Sequence, residues 1–308
     1  MNTIYDIIIV GAGPAGLTAA LYALRANKKV LVLEAKSYGG QILNANKVEN
    51  YPAIEAISGF EYSTNLYNQV KKLGMDFKLE TVLKIEEDKT VITNNNEYKG
   101  KAIILATGAE NRRLNIDGET NLVGKGISYC ATCDGNFYKG KTVAVNGGGN
   151  TALEDAIYLS DIASKVYLIH RRNEFRGEDK YLSELKEKNN VEFILNSNIT
   201  KINGEDRLES IDIINNDNET KSIKIDGLFI AIGQEPKNEI FKNIVDLDEK
   251  GYFLSDDAVH TKTKGVYIAG DARVKDLRQL TTAVSDGAIA ATTAIKELGW
   301  YIYRSNRN

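Results

Sequence analysis

Residues 4–34 read IYDIIIVGAGPAGLTAALYALRANKKVLVLE. The β-branched run at 4–10 is typical of a buried parallel strand, and a glycine-rich turn follows it directly. Ala and Leu at helical density then predict a helix over 17–26, and a second strand over 29–33 ends at Glu34. This order of strand, glycine turn, helix, strand and acid, within about 30 residues, is the fingerprint of a dinucleotide-binding Rossmann unit.

The same order of elements recurs in the middle of the chain. Residues 142–145 predict a strand, 147–152 form a glycine turn, 153–160 predict a helix and 165–169 a second strand. The two glycine turns start about 136 residues apart, and no shorter repeat or heptad pattern competes with this interpretation. The sequence therefore contains two Rossmann-type units.

A further apolar strand at 265–271 and an Ala-rich helix at 285–298 come late in the chain. No new glycine turn opens in the segment before them, so these elements are predicted to complete the first unit, with the second unit inserted into it. This predicts an α/β fold with two Rossmann-like nucleotide-binding domains. The expected domains are 1–112 with 243–308 (discontinuous) and 113–242 (inserted).

A glycine turn ahead of a helix can bind a pyrophosphate. Glycine lets the backbone approach the phosphates, and the helix N-terminus offers unpaired N–H groups with a partial positive charge. Plain strand–helix connections also use glycine turns, which is the alternative for each unit. The three key positions are Gly11, Gly13 and Gly16 in the first turn, and Gly147, Gly149 and Ala152 in the second.

The residue 23 positions after the first glycine of each turn indicates which nucleotide each unit binds. In the first unit it is Glu34, a carboxylate suited to a ribose 2′-hydroxyl, as in FAD or NAD. In the second it is His170, followed by Arg171, Arg172 and then Arg176. Guanidinium groups bind a 2′-phosphate through charge-assisted hydrogen bonds, so the second unit is predicted to prefer NADPH over NADH. A solvated basic turn is the alternative.

The chain has only two cysteines, Cys130 and Cys133, in the sequence Cys-Ala-Thr-Cys. A disulfide framework needs more cysteines and a four-thiolate zinc site needs a second pair, so no metal site is expected. What remains is a redox dithiol or two unrelated thiols. Asp134 follows directly and is either a proton donor for a departing sulfur or a plain turn residue beside a glycine.

The composition and charge of the chain argue against nucleic acid and membranes as binding partners. The 308 residues carry a net charge of −3, with no basic footprint for nucleic acid or for an anionic membrane surface. The longest apolar runs are far shorter than the ~20 residues of a transmembrane helix. The first residues lead directly into a strand rather than a secretory signal, so a cytoplasmic location is expected.

Over essentially its whole length the chain resembles the bacterial low-molecular-weight thioredoxin reductases, which are flavoproteins. The matching motifs include the Cys-Ala-Thr-Cys-Asp-Gly segment directly ahead of the second Rossmann unit. They are found at 11–16, 39–41, 48–52, 106–108, 130–135, 147–152, 170–172, 175–176, 231–233, 269–271 and 278–279.

This resemblance implies FAD in the first domain, NADPH in the second, a homodimer, and thioredoxin as protein substrate. The residues implied for FAD are Gly11, Gly13, Pro14, Ala15, Gly16, Glu34, Gly39, Gly40, Gln41, Asn50, Ala106, Thr107, Gly108, Gly270, Asp271, Arg278, Gln279 and Leu280. Those implied for NADPH are Gly147, Gly149, Asn150, Thr151, Ala152, His170, Arg171, Arg172, Arg176, Ile232 and Gly233.

The resemblance also assigns roles around the dithiol. It implies that Cys133 lies nearer the flavin, that Cys130 attacks the thioredoxin disulfide, and that Asp134 is the acid–base group. It further implies that the dithiol and the nicotinamide take turns at the flavin by rotation of the inserted domain.

Other functions are compatible with parts of the sequence. The same scaffold could serve another dithiol acceptor, such as a glutaredoxin-like protein or a peroxidase partner, or could take electrons from ferredoxin. A flavin- and nucleotide-binding sensor without turnover is a third hypothesis. The presence of both cysteines, Asp134 and the arginines favours the enzyme, and the basic motif favours NADPH as the donor.

Overall fold

The computed structural model describes residues 3–45 and 47–299. The chain forms two compact units. The discontinuous unit contains the chain up to Glu110 and again from Glu235 onward, and the inserted unit is Asn111–Gln234. The predicted α/β class, with one Rossmann-like unit inserted into the other, is confirmed. The domain boundaries near 112 and 242 stay a prediction.

The first segment of the discontinuous unit builds most of one sheet. Its elements are β1 (Ile4–Val10), α1 (Pro14–Arg25), β2 (Val30–Glu34), α2 (Gly59–Lys71), β3 (Asp76–Leu79), β4 (Val82–Ile85), β5 (Thr90–Thr93) and β6 (Glu97–Leu105). Strands β3, β2, β1 and β6 are parallel neighbours in that order. β4 and β5 continue the sheet as antiparallel strands beside β6. α1 starts earlier than predicted because Gly13 caps it and Pro14, with its fixed φ, suits its first position.

The inserted unit has two sheets of its own. The elements from the first crossing to the second are β7 (Glu110–Asn111), α3 (Glu119–Leu122), β8 (Ile127–Ser128), α4 (Ala131–Asp134), β9 (Thr142–Gly147), α5 (Asn150–Ser160), β10 (Lys165–Ile169), α6 (Asp179–Glu187), β11 (Val191–Ile194), β12 (Ser197–Asn203), β13 (Ser210–Asn215), β14 (Thr220–Lys224), β15 (Gly227–Ala231) and β16 (Gln234–Glu235). Five of these strands form a parallel sheet in the order β11-β10-β9-β15-β8. The strands β12, β13 and β14 form a three-stranded antiparallel sheet in that order.

The last two elements return to the discontinuous unit. β17 (Val266–Ile268) pairs in parallel with β6, and α7 (Leu280–Glu297) packs against α1. The prediction that these late elements complete the first unit is confirmed. The strand is shorter than predicted because residues 270–272 form a 3₁₀ turn. α7 is longer because Gln279 and Thr282 form a capping box at its start.

Each unit has its own apolar core. In the discontinuous unit the core centres on β1, where Ile7, Ile8 and Ile9 have no exposed surface, as expected for a sheet covered on both faces. Two separate clusters fill the inserted unit, one around Ile211 and Leu228 and the other around α5. Within the described residues, every helix is too short or too polar to span a bilayer.

Candidate nucleotide and dithiol sites

The first glycine turn lies between β1 and α1. Gly13 is the N-cap of α1, so the free N–H groups of that helix begin at the turn. Gly11 has φ +104°, and a Cβ atom on it would collide with the carbonyl oxygen of Ala106. Only glycine permits this close approach of the turn to the end of β6. The arrangement is suited to a pyrophosphate at the helix N-terminus.

Glu34 and the Gly39–Gly40 pair are brought onto this turn. The Ala12 amide donates to Glu34 Oε2 at 2.8 Å, and the Gly39 amide donates to Ala12 O at 2.8 Å. Gly40 has φ +61°, and a Cβ on it would lie 3.2 Å from Gly13 Cα. Segments that lie apart in sequence therefore form one glycine-lined cradle.

The predicted residues near the start of α7 also meet one of the early segments. Asn50 Nδ2 donates to Gln279 Oε1 at 3.1 Å, across 229 residues of sequence. Arg278 Nε donates to the Asp271 carbonyl at 3.3 Å, and its guanidinium lies 4.2 Å from the centre of the Tyr252 ring. Gln41 Nε2 donates to the carbonyl of Ala109, while Leu280 is buried as the first residue of α7.

The environment of the Asp271 carboxyl shows whether this region fits a flavin. Its Oδ1 atom is buried and accepts no hydrogen bond from any described residue, while Lys275 Nζ lies 3.7 Å away. Burial raises the pKa of the Asp271 carboxyl. A buried carboxylate oxygen needs a donor, and the ribityl hydroxyls of a flavin are donors of that kind. The residues present therefore fit the flavin that the sequence predicts.

Asn238 was missed by sequence reasoning. It is fully buried, and its Oδ1 accepts a hydrogen bond from Thr107 Oγ1 at 2.9 Å. Its Nδ2 donates to the carbonyls of Gly251 and Ala272 at 3.0 and 3.2 Å. Asn238 thus ties the predicted 106–108 segment to Gly251 and to the 3₁₀ turn that contains Asp271. An isolated Asn in an irregular segment gives no pattern from which this could be read.

Asp286 on α7 was missed as well. It accepts hydrogen bonds from the Gly270 amide at 3.0 Å, from Arg273 Nη1 at 3.2 Å and from Lys275 Nζ at 2.9 Å. All three charged side chains are nearly buried, with 11–13% of their surface exposed. One carboxylate therefore fixes the loop that carries Asp271 to the body of α7.

The second glycine turn, between β9 and α5, has the same construction. Gly149 is the N-cap of α5, and a Cβ on Gly147 would collide with the carbonyl oxygen of Ala231. Ala231 pairs with Gly147 in the sheet, so the predicted Ile232 and Gly233 follow at the same sheet edge. Asn150, Thr151 and Ala152 form the first turn of α5, and Ala152 is fully buried.

The basic segment lies against this turn. The Arg176 amide donates to the Gly148 carbonyl at 2.7 Å. Burial lowers the pKa of His170, whose ring lies under Gly148 and stacks on Phe175. Arg171, Arg172 and Arg176 are exposed, and none of the three forms an ion pair with a described residue. Unpaired guanidinium groups beside a helix N-terminus fit a nucleotide that carries a 2′-phosphate.

Cys130 and Cys133 form a disulfide with an S–S distance of 2.04 Å. The two thiols are therefore paired rather than unrelated, and the redox role of the pair stays a prediction. Cys130 is the N-cap of the short helix α4, which contains Cys133 and ends at Asp134. The Asp134 amide donates to the Cys130 carbonyl at 3.1 Å, so the fold holds all three residues in one helical turn.

The Asp134 side chain is partly buried. Burial raises the pKa of its carboxyl, and a hydrogen bond donated by Ser128 Oγ at 2.6 Å opposes this shift. A carboxyl that retains its proton above its usual range can donate it to a departing sulfur. Ser128, which also lies beside the disulfide, is a further residue that the sequence did not single out.

Each unit thus has one dinucleotide-type cradle. The inserted unit also carries the disulfide and an adjacent, partly buried acid. Among residues 3–45 and 47–299, no group of three or more His, Cys, Asp or Glu side chains is arranged to hold a metal ion. The chemistry that these parts support is two-electron transfer between a nucleotide cofactor and sulfur.

Comparison with known proteins agrees with this chemistry. Residues 5–287 match the family described as pyridine nucleotide-disulphide oxidoreductase. The chain is 41% identical to a thioredoxin reductase of Bacillus subtilis, over 94% of this chain and 93% of that protein. It is 42% identical to a 34.2 kDa protein in the rubredoxin operon of Clostridium pasteurianum, over 96% and 97% of the two chains.

Among solved structures, the thioredoxin reductase from Streptococcus pyogenes superposes with a TM-score of 0.92 at 38% identity. This match covers 97% of this chain and 99% of that one. The chain belongs to the pyridine nucleotide-disulphide oxidoreductase family.

Proposed function

We propose that this protein is an NADPH-dependent thioredoxin-disulfide reductase, with FAD in the discontinuous unit and NADPH in the inserted unit. The observation that carries the proposal is the Cys130–Cys133 disulfide with Asp134 in the same helical turn. Full-length similarity to proteins named thioredoxin reductase supports it. The family uses a flavin and a pyridine nucleotide, and FAD and NADPH are the specific forms proposed here.

The residues of the two cradles bind and orient the cofactors. We expect the first glycine turn and Glu34 to hold the adenosine diphosphate part of FAD, and Asp271 to accept a hydrogen bond from its ribityl chain. Arg171, Arg172 and Arg176, which are exposed, are expected to bind the 2′-phosphate of NADPH. When bound, the flavin supplies two-electron transfer between the nicotinamide and a disulfide.

The cysteines then exchange with the protein substrate. The Cys130 thiolate attacks one sulfur of the thioredoxin disulfide, which forms a mixed disulfide and releases the other thioredoxin sulfur as a thiolate. Asp134 donates a proton to that departing sulfur. Cys133 next gives up its proton and attacks the Cys130 sulfur, so the mixed disulfide breaks, the Cys130–Cys133 bond re-forms, and the second thioredoxin sulfur leaves and takes up a proton. Thioredoxin gains two electrons and two protons in this exchange, and the enzyme dithiol loses them.

The assembly and the working cycle are part of the same proposal. We expect a homodimer in the cytoplasm, with domains bounded near 112 and 242. The inserted domain is expected to rotate so that dithiol and nicotinamide reach the flavin in turn. Analytical ultracentrifugation of the flavin-loaded protein tests the dimer directly.

The test of the function compares electron donors and a cysteine variant. With NADPH, the wild type should reduce thioredoxin in an insulin-coupled assay, while NADH and reduced ferredoxin should support far slower turnover. Cys133→Ser should retain a flavin that NADPH reduces, yet lose thioredoxin turnover. Ser164→Ala, a surface hydroxyl bonded to Lys141 O, serves as the control. Thioredoxin turnover by Cys133→Ser, or a preference for ferredoxin, would contradict the proposal.

A further inference from the structure

One hydroxyl connects the backbone of the disulfide to the adjacent acid. We propose that Ser128 is a positioning residue that keeps a hydrogen bond to Asp134 in both protonation states of that carboxyl and holds the Cys130 backbone beside it. This inference rests on the proposed function, because it acts through the proton transfer assigned to Asp134.

The contacts of Ser128 are short and buried. The side chain lies at the end of β8, and the residue is only 4% exposed. Its Oγ is 2.6 Å from Asp134 Oδ2, accepts a hydrogen bond from the Cys130 amide at 3.0 Å and lies 3.3 Å from the Cys130 carbonyl. These contacts place the hydroxyl between the residue that carries one sulfur and the carboxyl.

The hydrogen-bond inventory of a hydroxyl explains why serine suits this place. A hydroxyl has one donor hydrogen and two acceptor lone pairs. When Asp134 is ionised, Ser128 donates to Oδ2 and accepts from the Cys130 amide. When Asp134 is protonated, its own O–H donates to Ser128 Oγ, and the serine hydrogen turns to the Cys130 carbonyl. Ser128 is therefore satisfied before and after the proton moves.

No other described side chain hydrogen-bonds Asp134, and no cation compensates its charge there. Tyr138 lies close enough to sense the charges of both Asp134 and Asp226. The helix α5, which packs against α4, carries Glu154, Asp155 and Tyr158, and burial raises the pKa of Asp155 to about 7. Among the described residues, Ser128 is thus the single side-chain donor that favours the ionised carboxyl of Asp134.

Removal of the hydroxyl should therefore change the pH dependence of the proton transfer. In Ser128→Ala the ionised form of Asp134 loses its donor, so the carboxyl keeps its proton to higher pH. The falling limb of thioredoxin turnover should move upward by about one pH unit, the equivalent of one hydrogen bond. The maximal kcat should fall several-fold, because the Cys130 amide also loses its partner, while KM for thioredoxin stays within about twofold.

The control variant is Ser160→Ala, which removes a buried hydroxyl of the same unit that donates to the Ile157 carbonyl at 2.6 Å. It should leave the pH profile in place. In an Asp134→Asn background, the additional Ser128→Ala change should not move the remaining profile, because the group that it acts through is gone.

A second readout needs neither flavin nor thioredoxin. Reduction of the Cys130–Cys133 bond by dithiothreitol, followed across pH by alkylation and mass measurement, should show a shift of the same sign in Ser128→Ala. Unchanged pH profiles in both assays would overturn the inference. Failure of the wild type to reduce thioredoxin, with the dithiothreitol shift intact, would instead count against the proposed function alone.

Discussion

Glu34 and His170 occupy the same offset from their glycine turns, but the fold uses them differently. Glu34 accepts the amides of Ala12 and Lys36 at 2.8 and 2.9 Å, so it shapes its turn from the end of β2 while each oxygen keeps a lone pair. His170 is buried under Gly148, with 5% of its surface exposed, and its part in nucleotide binding stays a prediction. In the inserted unit the arginines next to it are exposed and are expected to bind the phosphate.

Arg171 and Arg172 are predicted to set the preference for NADPH over NADH. Arg171→Ala combined with Arg172→Ala should raise KM for NADPH by about a hundredfold or more, because two charge-assisted contacts of about 1.5–3 kcal/mol each are lost. KM for NADH, which lacks the 2′-phosphate, should change little. Steady-state kinetics with both cofactors checks this, and Lys201→Ala, an exposed cation on β12, is the control. Equal changes in KM for NADPH and NADH would contradict the assignment of these arginines to the 2′-phosphate.

Residues of this kind differ in how well the sequence predicts them. The glycine turns, the arginines and the cysteine pair are readable because each motif is contiguous and each residue type has a stated chemical reason to be there. Ser128, Asn238 and Asp286 are not readable, because a buried hydrogen bond depends on partners that only the folded chain brings close. Asn238, for instance, contacts a residue 131 positions away in sequence.

At the scale of elements, α7 holds the predicted flavin region together. Its Gln279 cap bonds Asn50, its buried Asp286 fixes the loop of Asp271, and its far end carries Glu297. The sequence predicted the helix but not its first turn, because Gln279 and Thr282 are not a strong capping signature. Packing of α7 on α1 is close, since a Cβ on Gly287 would collide with the Ala15 carbonyl.

Asp286 allows the role of α7 to be tested. Asp286→Asn should destabilise the protein by about 3–5 kcal/mol, because Arg273 would keep a buried charge without its carboxylate partner and Lys275 would retain only Asp271, at 3.7 Å. It should also weaken flavin retention, since the loop of Asp271 loses its anchor. Urea unfolding and flavin absorbance after dialysis measure the two effects. The control is Asp276→Asn, which changes an exposed residue of the same loop and should match the wild type in both measurements. An Asp286→Asn protein that is as stable as the wild type and retains its flavin would contradict the role of Asp286 in holding this loop.

A pH-dependent contact joins the other end of α7 to the preceding loop. His260 is bonded through Nδ1 to Asp256 and through Nε2 to Glu297, both at 2.8 Å. The hydrogen bond to Asp256 is the largest of the contributions that raise the pKa of His260 above 6.5. Stabilisation by the charged imidazole is therefore complete below pH 6.5 and is lost as pH rises through the higher folded-state pKa.

His260→Gln should thus lower the free energy of unfolding at pH 6 and have little effect at pH 9. The side chain is 41% exposed, so solvent screens the pairs and the loss should be about 1 kcal/mol or less. Urea titrations of variant and wild type at the two pH values measure the difference. Lys262→Gln, a neighbouring cation bonded to Asp246, should show no such pH dependence. An effect of His260→Gln that is equal at both pH values would contradict the assignment.

At the scale of the whole molecule, each unit is a body with its own core. No residue of the discontinuous unit belongs to either apolar cluster of the inserted unit, within the described ranges. The sequence predicted the insertion because the late strand lacked a glycine turn of its own. It could not locate the crossings with the same certainty, because short strands such as β7 and β16 carry no periodicity.

A fragment of residues 111–234 should therefore fold alone. We expect a single cooperative thermal transition and dispersed amide resonances, because its core is complete. The matched fragment 1–110 lacks β17 and α7 and should not reach a cooperative fold. Circular dichroism and two-dimensional NMR of both fragments test this. A disordered 111–234 fragment would show that its core depends on the rest of the chain.

The pairing of β17 with β6 has a consequence during synthesis. β6 ends at Leu105, but its partner starts only at Val266, and ribosomes add about 5–20 residues per second. A nascent chain therefore waits on the order of ten to thirty seconds with part of β6 unpaired, while the inserted unit emerges and closes its own sheets. The first Rossmann unit to be translated is the last to be finished, and its open edge during that interval is exposed to pairing with another chain.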